Sequence, residues 1–286
     1  MGLVHFFSDR LKDQIEIKKK RVFRDCLCRL AVGGMEITMA LFNVNFFSKS
    51  LAINTNMTVI MPQDTGDEKI PVLYLLHGGG DDYTSWLRNT SLDRYFMNKR
   101  LAVVMPTTYS YWYADCDSGN YLTYISDELS KIIRDFFPKI SDRREDTFIA
   151  GNSMGGYGAY KAAFTHPETF GYAASFSGTL DIDCVKIWQD VVTKLGEKLR
   201  GTDNDTFVLA KRLKESGNEF PRLYQWCGFD DFLYEGNILV RDILEDLGYK
   251  LDYFESDGGH SWEFWDLKIR DVLDWIPIGK NKAGSR

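Results

Sequence analysis

Short apolar runs alternate with longer amphipathic segments along most of the chain. The apolar runs are typical of buried strands and are predicted at residues 51–61, 70–76, 102–105, 147–150, 172–176, 223–227 and 251–255. Segments with helical spacing are predicted at residues 125–137, 155–166, 207–215, 233–247 and 262–275. This alternation predicts an α/β protein with a mostly parallel central sheet, helices on both of its faces, and chemistry at the carboxyl ends of the strands.

The helix predicted at residues 125–137 has a clear apolar stripe. Its members recur at the spacing of one helix face and are Ile125, Leu129, Ile132, Ile133 and Phe136. We expect this stripe to pack on the sheet.

A serine lies between two glycines at the junction of a predicted strand and a predicted helix. Gly151 precedes Ser153 by two positions and Gly155 follows it by two. A strand, a sharp turn and a helix are the setting of a nucleophile elbow, where the serine hydroxyl stands clear of the sheet. Glycines avoid clashes at the crossing, and the helix N-terminus favours negative charge beside the serine. Ser153 is therefore the predicted nucleophile.

The serine needs a base, and the chain has four histidines. His5 lies in a basic N-terminal stretch, His77 directly precedes three glycines, and His166 is followed by a proline at a helix end. His260 follows a Gly-containing turn after a late predicted strand, where a loop can carry a base to the serine. His260 is the predicted base.

Two adjacent aspartates can orient the base. In enzymes with such an elbow the acid lies between the serine and the histidine in the chain. Asp230 and Asp231 follow the strand predicted at 223–227, and either carboxylate can accept a hydrogen bond from the histidine Nδ1. The residues alone do not separate the two.

An oxyanion hole is predicted from two backbone N–H groups. One belongs to Met154, directly after the serine. The other is expected in the three glycines after His77, and Gly79 is the predicted donor because glycines let the backbone approach a substrate closely.

Several stretches together resemble a known family. They are 71–78 with Ser85 and Trp86, 148–158, 174–178, 226–234 and 259–262. They resemble the tributyrin-esterase branch of the esterase D group of α/β hydrolases, relatives of S-formylglutathione hydrolases and of feruloyl and acetyl-xylan esterases. The resemblance spans residues 39 to 277. It implies the α/β-hydrolase fold, and it assigns the acid to Asp231 because the family's acid stands three residues after the glycine of this turn.

The resemblance implies a serine carboxylesterase that hydrolyses short-chain acyl esters, with acetylated or feruloylated carbohydrate among its expected substrates. The alternatives are an S-formylglutathione thioesterase and a non-catalytic binding protein of the same fold. The mechanism needs neither a metal nor an organic cofactor. Trp86, Trp112 and Trp262 are the predicted pocket walls, since aromatic side chains suit short acyl chains and rings.

Composition limits the partners of the chain. A net charge of −6 without long basic blocks argues against a nucleic-acid surface. No apolar run reaches the roughly 20 residues that span a bilayer. Five cysteines without metal-ligand spacing suit a reducing cytoplasm. The predicted partner is a small-molecule ester, and self-association into a homo-oligomer is compatible with the sequence.

The chain divides into three predicted parts. Residues 39–278 form one domain, and 279–286 are a frayed tail. Residues 1–38 are a disordered or non-domain extension, and Arg24, Asp25 and Arg29 interrupt the apolar core that a signal peptide would need. The long connection at 179–221, which contains Trp188, is equally well interpreted as a cover over the site or as an ordinary crossover.

Overall fold

The computed structural model describes residues 37–63, 66–182 and 199–278, and their centre is an eight-stranded sheet. The strands are β1 (Met39–Ser48), β2 (Ile53–Pro62), β3 (Val72–Leu76), β4 (Ala102–Pro106), β7 (Thr147–Asn152), β8 (Tyr172–Phe176), β9 (Arg222–Gly228) and β10 (Leu251–Ser256), with β5 (Asp115–Cys116) and β6 (Gly119–Asn120) forming a separate hairpin. The sheet has the order β1-β2-β4-β3-β7-β8-β9-β10. Strands β1 and β2 are antiparallel to their neighbours, and the other six are parallel.

Helices cover both faces of this sheet. In β3, Val72, Tyr74 and Leu76 contribute to one apolar cluster, whereas Leu73 and Leu75 contribute to the other, as the alternating direction of strand side chains requires. The first cluster is covered by α4 (Leu129–Phe136), α5 (Met154–Thr165), α6 (Thr206–Ser216) and α7 (Tyr234–Asp246), which follow the short α3 (Tyr121–Thr123). The second is covered by α1 (Ser85–Asn89), α2 (Leu92–Tyr95) and α8 (Trp262–Trp275). The predicted mostly parallel sheet with helices on both faces is confirmed.

The first strand was not predicted. Strand β1 pairs with β2 along its whole length, from Met39 to Ser48. It lies at the sheet edge, where only Phe46 and Ser48 are buried. Phe42, Val44 and Phe46 alternate with asparagines, so the sequence does carry a short strand pattern here that the prediction did not use.

The last member of the apolar stripe predicted for the helix at 125–137 is less buried than the others. A π-helical turn (Tyr124–Glu128) joins α3 to α4, and Ile125, Leu129 and Ile133 are fully buried. Phe136 is half exposed and packs edge-on against Phe46 of the edge strand, with ring centroids 6.5 Å apart. The stripe therefore packs on the sheet, but its last member lies over the edge strand and stays half exposed.

Some predictions concern parts of the chain outside the described residues. These are the extension up to residue 36, the tail at 279–286, and residues 183–198 of the long connection with Trp188. Within the described ranges, no helix is long and apolar enough to cross a membrane.

Candidate active site

Ser153 lies at a sharp turn between β7 and α5. Its φ is +53°, a left-handed value that non-glycine residues seldom adopt. The turn needs glycines beside it: a Cβ on Gly151 would lie 2.5 Å from the carbonyl group of Gly155, and one on Gly155 would lie 2.6 Å from the Leu76 carbonyl oxygen. The strand and the helix therefore cross closely enough to hold Ser153 at the carboxyl edge of the sheet.

The structure brings together the three residues predicted as nucleophile, base and acid. His260 Nε2 lies 2.9 Å from Ser153 Oγ, and His260 Nδ1 lies 3.0 Å and 3.1 Å from the two carboxylate oxygens of Asp231. An ionised carboxylate only accepts hydrogen bonds, so Nδ1 carries the proton and Nε2 accepts the Ser153 hydroxyl proton. This tautomer is the one that a general base needs.

The two neighbouring aspartates have different surroundings. The Asp231 side chain is buried, whereas Asp230 is exposed and its backbone N–H donates to the Gly258 carbonyl oxygen. Burial by itself raises the pKa of Asp231, but the hydrogen bond and the charge of His260, with further hydrogen bonds from Ser177 and from the Leu233 N–H, lower that pKa overall. Asp231 therefore stays ionised near neutral pH.

Ser177 supports this carboxylate, and sequence reasoning did not select it. The residue is fully buried, follows β8 with a φ of +48°, and its hydroxyl helps to lower the pKa of the Asp231 carboxyl. Its Oγ accepts the indole N–H of Trp265 at 3.1 Å, and the Trp265 ring stands edge-on to His260 with centroids 4.9 Å apart. Ser177 and Trp265 therefore pack against the acid and the base. A left-handed φ cannot be read from the residue types, and the one signal at Ser177 was its place in the stretch 174–178 that carries the family resemblance.

Removing the Ser177 hydroxyl should weaken the site in a pH-dependent way. Ser177→Gly tolerates the left-handed φ and loses only the hydroxyl. We expect kcat/KM to fall about tenfold, the order expected for one hydrogen bond to a charged group. Losing this donor raises the pKa of Asp231, so the low-pH limb of the kcat/KM profile should move to higher pH.

The measurement is the pH profile of ester hydrolysis by wild type, Ser177→Gly and Ser177→Ala. Ser130→Ala is the matched control, since Ser130 is a buried serine in α4 whose hydroxyl donates to the Asp127 carbonyl oxygen one turn earlier. A low-pH limb that stays in place in both Ser177 variants would contradict the assigned support.

Both ring nitrogens of His77 are hydrogen-bonded within the protein, so His77 is not available as a base. Its Nδ1–H donates to the Gly78 carbonyl at 2.7 Å, and its Nε2 accepts the Thr108 N–H at 3.0 Å. Burial lowers the pKa of His77 to about 4, so the ring is neutral at neutral pH. The loop after β3 is therefore fixed from within the protein.

Both predicted oxyanion donors lie at the same cavity as Ser153 and His260. Met154 is the first residue of α5, so its N–H has no acceptor within the helix. Gly79 has open space where a Cβ would stand, and the N–H of the next residue, Gly80, donates to Ser110 Oγ at 3.1 Å. Ser110 thus anchors the loop that presents Gly79.

The cavity at Ser153 measures about 320 Å³. Its described lining residues come from five loops and are Gly79, Gly80, Ser110, Trp112, Ser153, Met154, Phe232 and His260. A wider cavity of about 540 Å³ lies near Arg144, Arg222 and Lys250, at the amino ends of the strands, and holds none of the three catalytic candidates. The smaller cavity is the candidate active site because it contains Ser153 and His260.

The predicted aromatic walls need correction. Trp112 lines the cavity. Trp86 is 1% exposed, and its indole N–H donates to the Leu76 carbonyl, because the side chain points into the core beneath the loop. Trp262 packs edge-on against Trp86 and Trp265, with centroids 5.0 Å and 5.2 Å away, and is not among the described lining residues.

A strained loop after β4 supplies part of the wall. Tyr109, Trp112 and Tyr113 have φ values of +52°, +54° and +48°. Three aromatic residues in this sparsely populated region persist only where surrounding contacts hold them, and such strain clusters at functional sites. The Tyr113 hydroxyl donates to the His77 carbonyl at 2.8 Å, which links the strained loop to the glycine loop.

Comparisons with known proteins identify relatives of this chain. A family model described as putative esterase matches residues 48–276. An acetyl esterase of Caldicellulosiruptor saccharolyticus is 30% identical over 262 residues, which are 83% of this chain and 98% of the relative.

Two solved structures from Staphylococcus aureus are also similar. A fluorophosphonate-binding serine hydrolase, solved with substrate bound, has a TM-score of 0.79 at 31% identity, covering 83% of this chain and 98% of its own. An S-formylglutathione hydrolase has a TM-score of 0.77 at 29% identity, covering 84% of this chain and 99% of its own.

Proposed function

The chain belongs to the putative esterase family and is a serine carboxylesterase of the α/β-hydrolase fold, and we propose that Ser153, His260 and Asp231 carry its chemistry. The observation that supports this assignment most strongly is the continuous hydrogen-bonded chain from Ser153 Oγ through His260 to the buried Asp231. The chain order serine, aspartate, histidine is the one found in this fold.

The proposed reaction has two halves. His260 Nε2 accepts the Ser153 proton while Oγ attacks the ester carbonyl, and the N–H groups of Met154 and Gly79 stabilise the oxyanion. The carbon–oxygen bond to the alcohol then breaks, and His260 returns the proton to the departing oxygen, which leaves an acyl-serine. In the second half, His260 takes a proton from water and the hydroxide attacks the acyl carbon. The bond from that carbon to Ser153 Oγ then breaks, and His260 returns the proton to Oγ as the free acid leaves.

Asp231 takes part without exchanging protons. Its carboxylate holds the Nδ1–H of His260 and stabilises the positive charge that develops on the ring. The lowered pKa of Asp231 keeps this charge available.

We also propose that the substrate carries a short acyl group. A cavity of about 320 Å³ is at the lower end of the range for small-molecule sites. The acetyl esterase among the relatives supports acetate as the acyl group. None of the described lining residues is a lysine or an arginine, so the cavity suits a neutral ester.

An S-formylglutathione thioesterase is the second candidate. The structural similarity at 29% identity favours it, and the same residues could expel a thiol. Glutathione carries two carboxylates, however, and the described cavity wall offers them no cationic side chain. Ester hydrolysis is therefore the preferred reaction.

We propose a cytoplasmic location as well, which suits the free thiols of Cys116 and Cys227.

A substrate panel tests both points. We expect kcat/KM for p-nitrophenyl acetate and butyrate to exceed the value for the laurate by at least about tenfold, because a 12-carbon chain extends beyond a cavity of this size. We also expect the acetate to be a better substrate than S-formylglutathione. A maximum at ten or more carbons would contradict the short-acyl assignment, and a preference for S-formylglutathione would favour the second candidate.

A further inference from the structure

Phe232 is a large apolar side chain exposed at the active site. It directly follows Asp231, and 63% of its surface is accessible. Its ring centroid lies 4.5 Å from that of His260, and the side chain lines the cavity. Phe232 therefore contributes an apolar aromatic surface to the cavity wall beside the predicted base.

The position of Phe232 relative to His260 identifies the part of a substrate that it would contact. His260 Nε2 must deliver a proton to the departing oxygen, so that oxygen lies within hydrogen-bond distance of the imidazole. The carbonyl oxygen lies instead towards the proposed donors Met154 and Gly79. An aromatic ring 4.5 Å from the imidazole is therefore a neighbour of the alcohol moiety rather than of the oxyanion.

The chemistry of this wall selects a class of alcohol. An aromatic face packs well against another flat apolar face, which a phenol ring or the C–H face of a sugar ring provides. Without a described lysine or arginine in the cavity lining, an anionic alcohol gains no charge pairing there.

We propose that Phe232 is the specificity-determining residue for the alcohol, and that it forms a platform for a neutral ring, either of a sugar or of a phenol. This inference rests on the proposed esterase function. It assigns the alcohol side of the substrate, on which the proposed function makes no statement.

The quantity to measure is kcat/KM for acetates that differ only in their alcohol. The alcohol departs during acylation, and all acetates then share one acetyl-serine, so kcat/KM carries the contribution of the alcohol. Three acetates distinguish between the two kinds of ring. The alcohol of ethyl acetate has no ring, that of p-nitrophenyl acetate has an aryl ring, and that of a monoacetate of methyl β-xylopyranoside has a sugar ring.

Three variants of the full chain complete the test. In Phe232→Ala the ratio of kcat/KM for at least one ring acetate to that for ethyl acetate should fall about fivefold to tenfold, the order of an aromatic packing contact. Phe232→Tyr keeps the platform and should restore the ratio. Phe229→Ala is the matched control, because Phe229 is 48% exposed on the same turn but packs against Tyr234 and is not among the described lining residues.

The outcomes separate this inference from the proposed function. A fall for the sugar acetate alone or for the aryl acetate alone supports the platform and identifies its ligand. An equal loss for all three acetates would show that Phe232 only positions His260, and an unchanged ratio would show that the ring contacts no alcohol; either result overturns the inference. If wild type releases no acetate from any probe, the esterase function itself fails.

Discussion

Replacing Ser153 with alanine should lower kcat by roughly four to six orders of magnitude while the protein stays folded. The substitution removes only the hydroxyl oxygen. The backbone keeps its φ of +53°, which is no more strained for alanine than for serine, and His260 keeps its hydrogen bonds to Asp231. The expected loss is large because the covalent route disappears altogether and only the oxyanion donors and substrate binding remain.

The check is steady-state hydrolysis of p-nitrophenyl acetate together with the melting temperature. Ser130→Ala, on a helix remote from the elbow, provides the comparison for the loss of a buried serine hydroxyl. Hydrolysis by Ser153→Ala within tenfold of wild type, measured on protein free of contaminating esterase, would end the assignment of the nucleophile.

The second large effect distinguishes the two adjacent aspartates. Asp231→Asn should lower kcat by about four orders of magnitude, because an amide can donate to Nδ1 and so favours the wrong tautomer of His260. It also removes the negative charge that stabilises the imidazolium ring. Asp230→Asn should change kcat less than about threefold, since an exposed surface position outside the site seldom matters and the hydrogen bond of Asp230 to Gly258 comes from the backbone.

Both variants differ from wild type by one atom and one charge, so each is the control for the other. The measurement is kcat for the same acetate at neutral pH, with melting temperatures to show that both proteins are folded. A large loss of kcat in Asp230→Asn together with a small loss in Asp231→Asn would show that the acid is Asp230 and that its assignment to Asp231 is wrong. The proposed mechanism would still hold.

The residues that the fold brings to one edge of the sheet were predictable from the sequence. Ser153, Asp231 and His260 each follow a short apolar run, and the carboxyl ends of parallel strands meet at one edge. The choice between Asp230 and Asp231 needed the family resemblance. In the structure the Asp231 side chain is buried and that of Asp230 is exposed.

Side-chain direction and backbone strain were not predictable in this way. Trp86 was expected in the wall because it is aromatic and follows the glycine loop, but its indole N–H bonds to the Leu76 carbonyl and the ring fills the core. Ser177 and Trp112 have left-handed φ values that no residue type there requires. Phe232 is adjacent to Asp231 in the sequence, yet only the turn geometry shows that its ring lies beside His260.

Covalent labelling by a fluorophosphonate, followed by mass spectrometry of the intact chain and of its peptides, tests most directly whether Ser153 is the activated nucleophile. This reagent reports an activated serine whatever the natural substrate is, because phosphonylation needs the nucleophile and its base but no acyl or alcohol pocket. We predict one adduct per chain, located on Ser153, absent in Ser153→Ala and formed far more slowly in His260→Ala. An adduct on a different serine, or no adduct on wild-type protein that hydrolyses p-nitrophenyl acetate, would contradict this prediction.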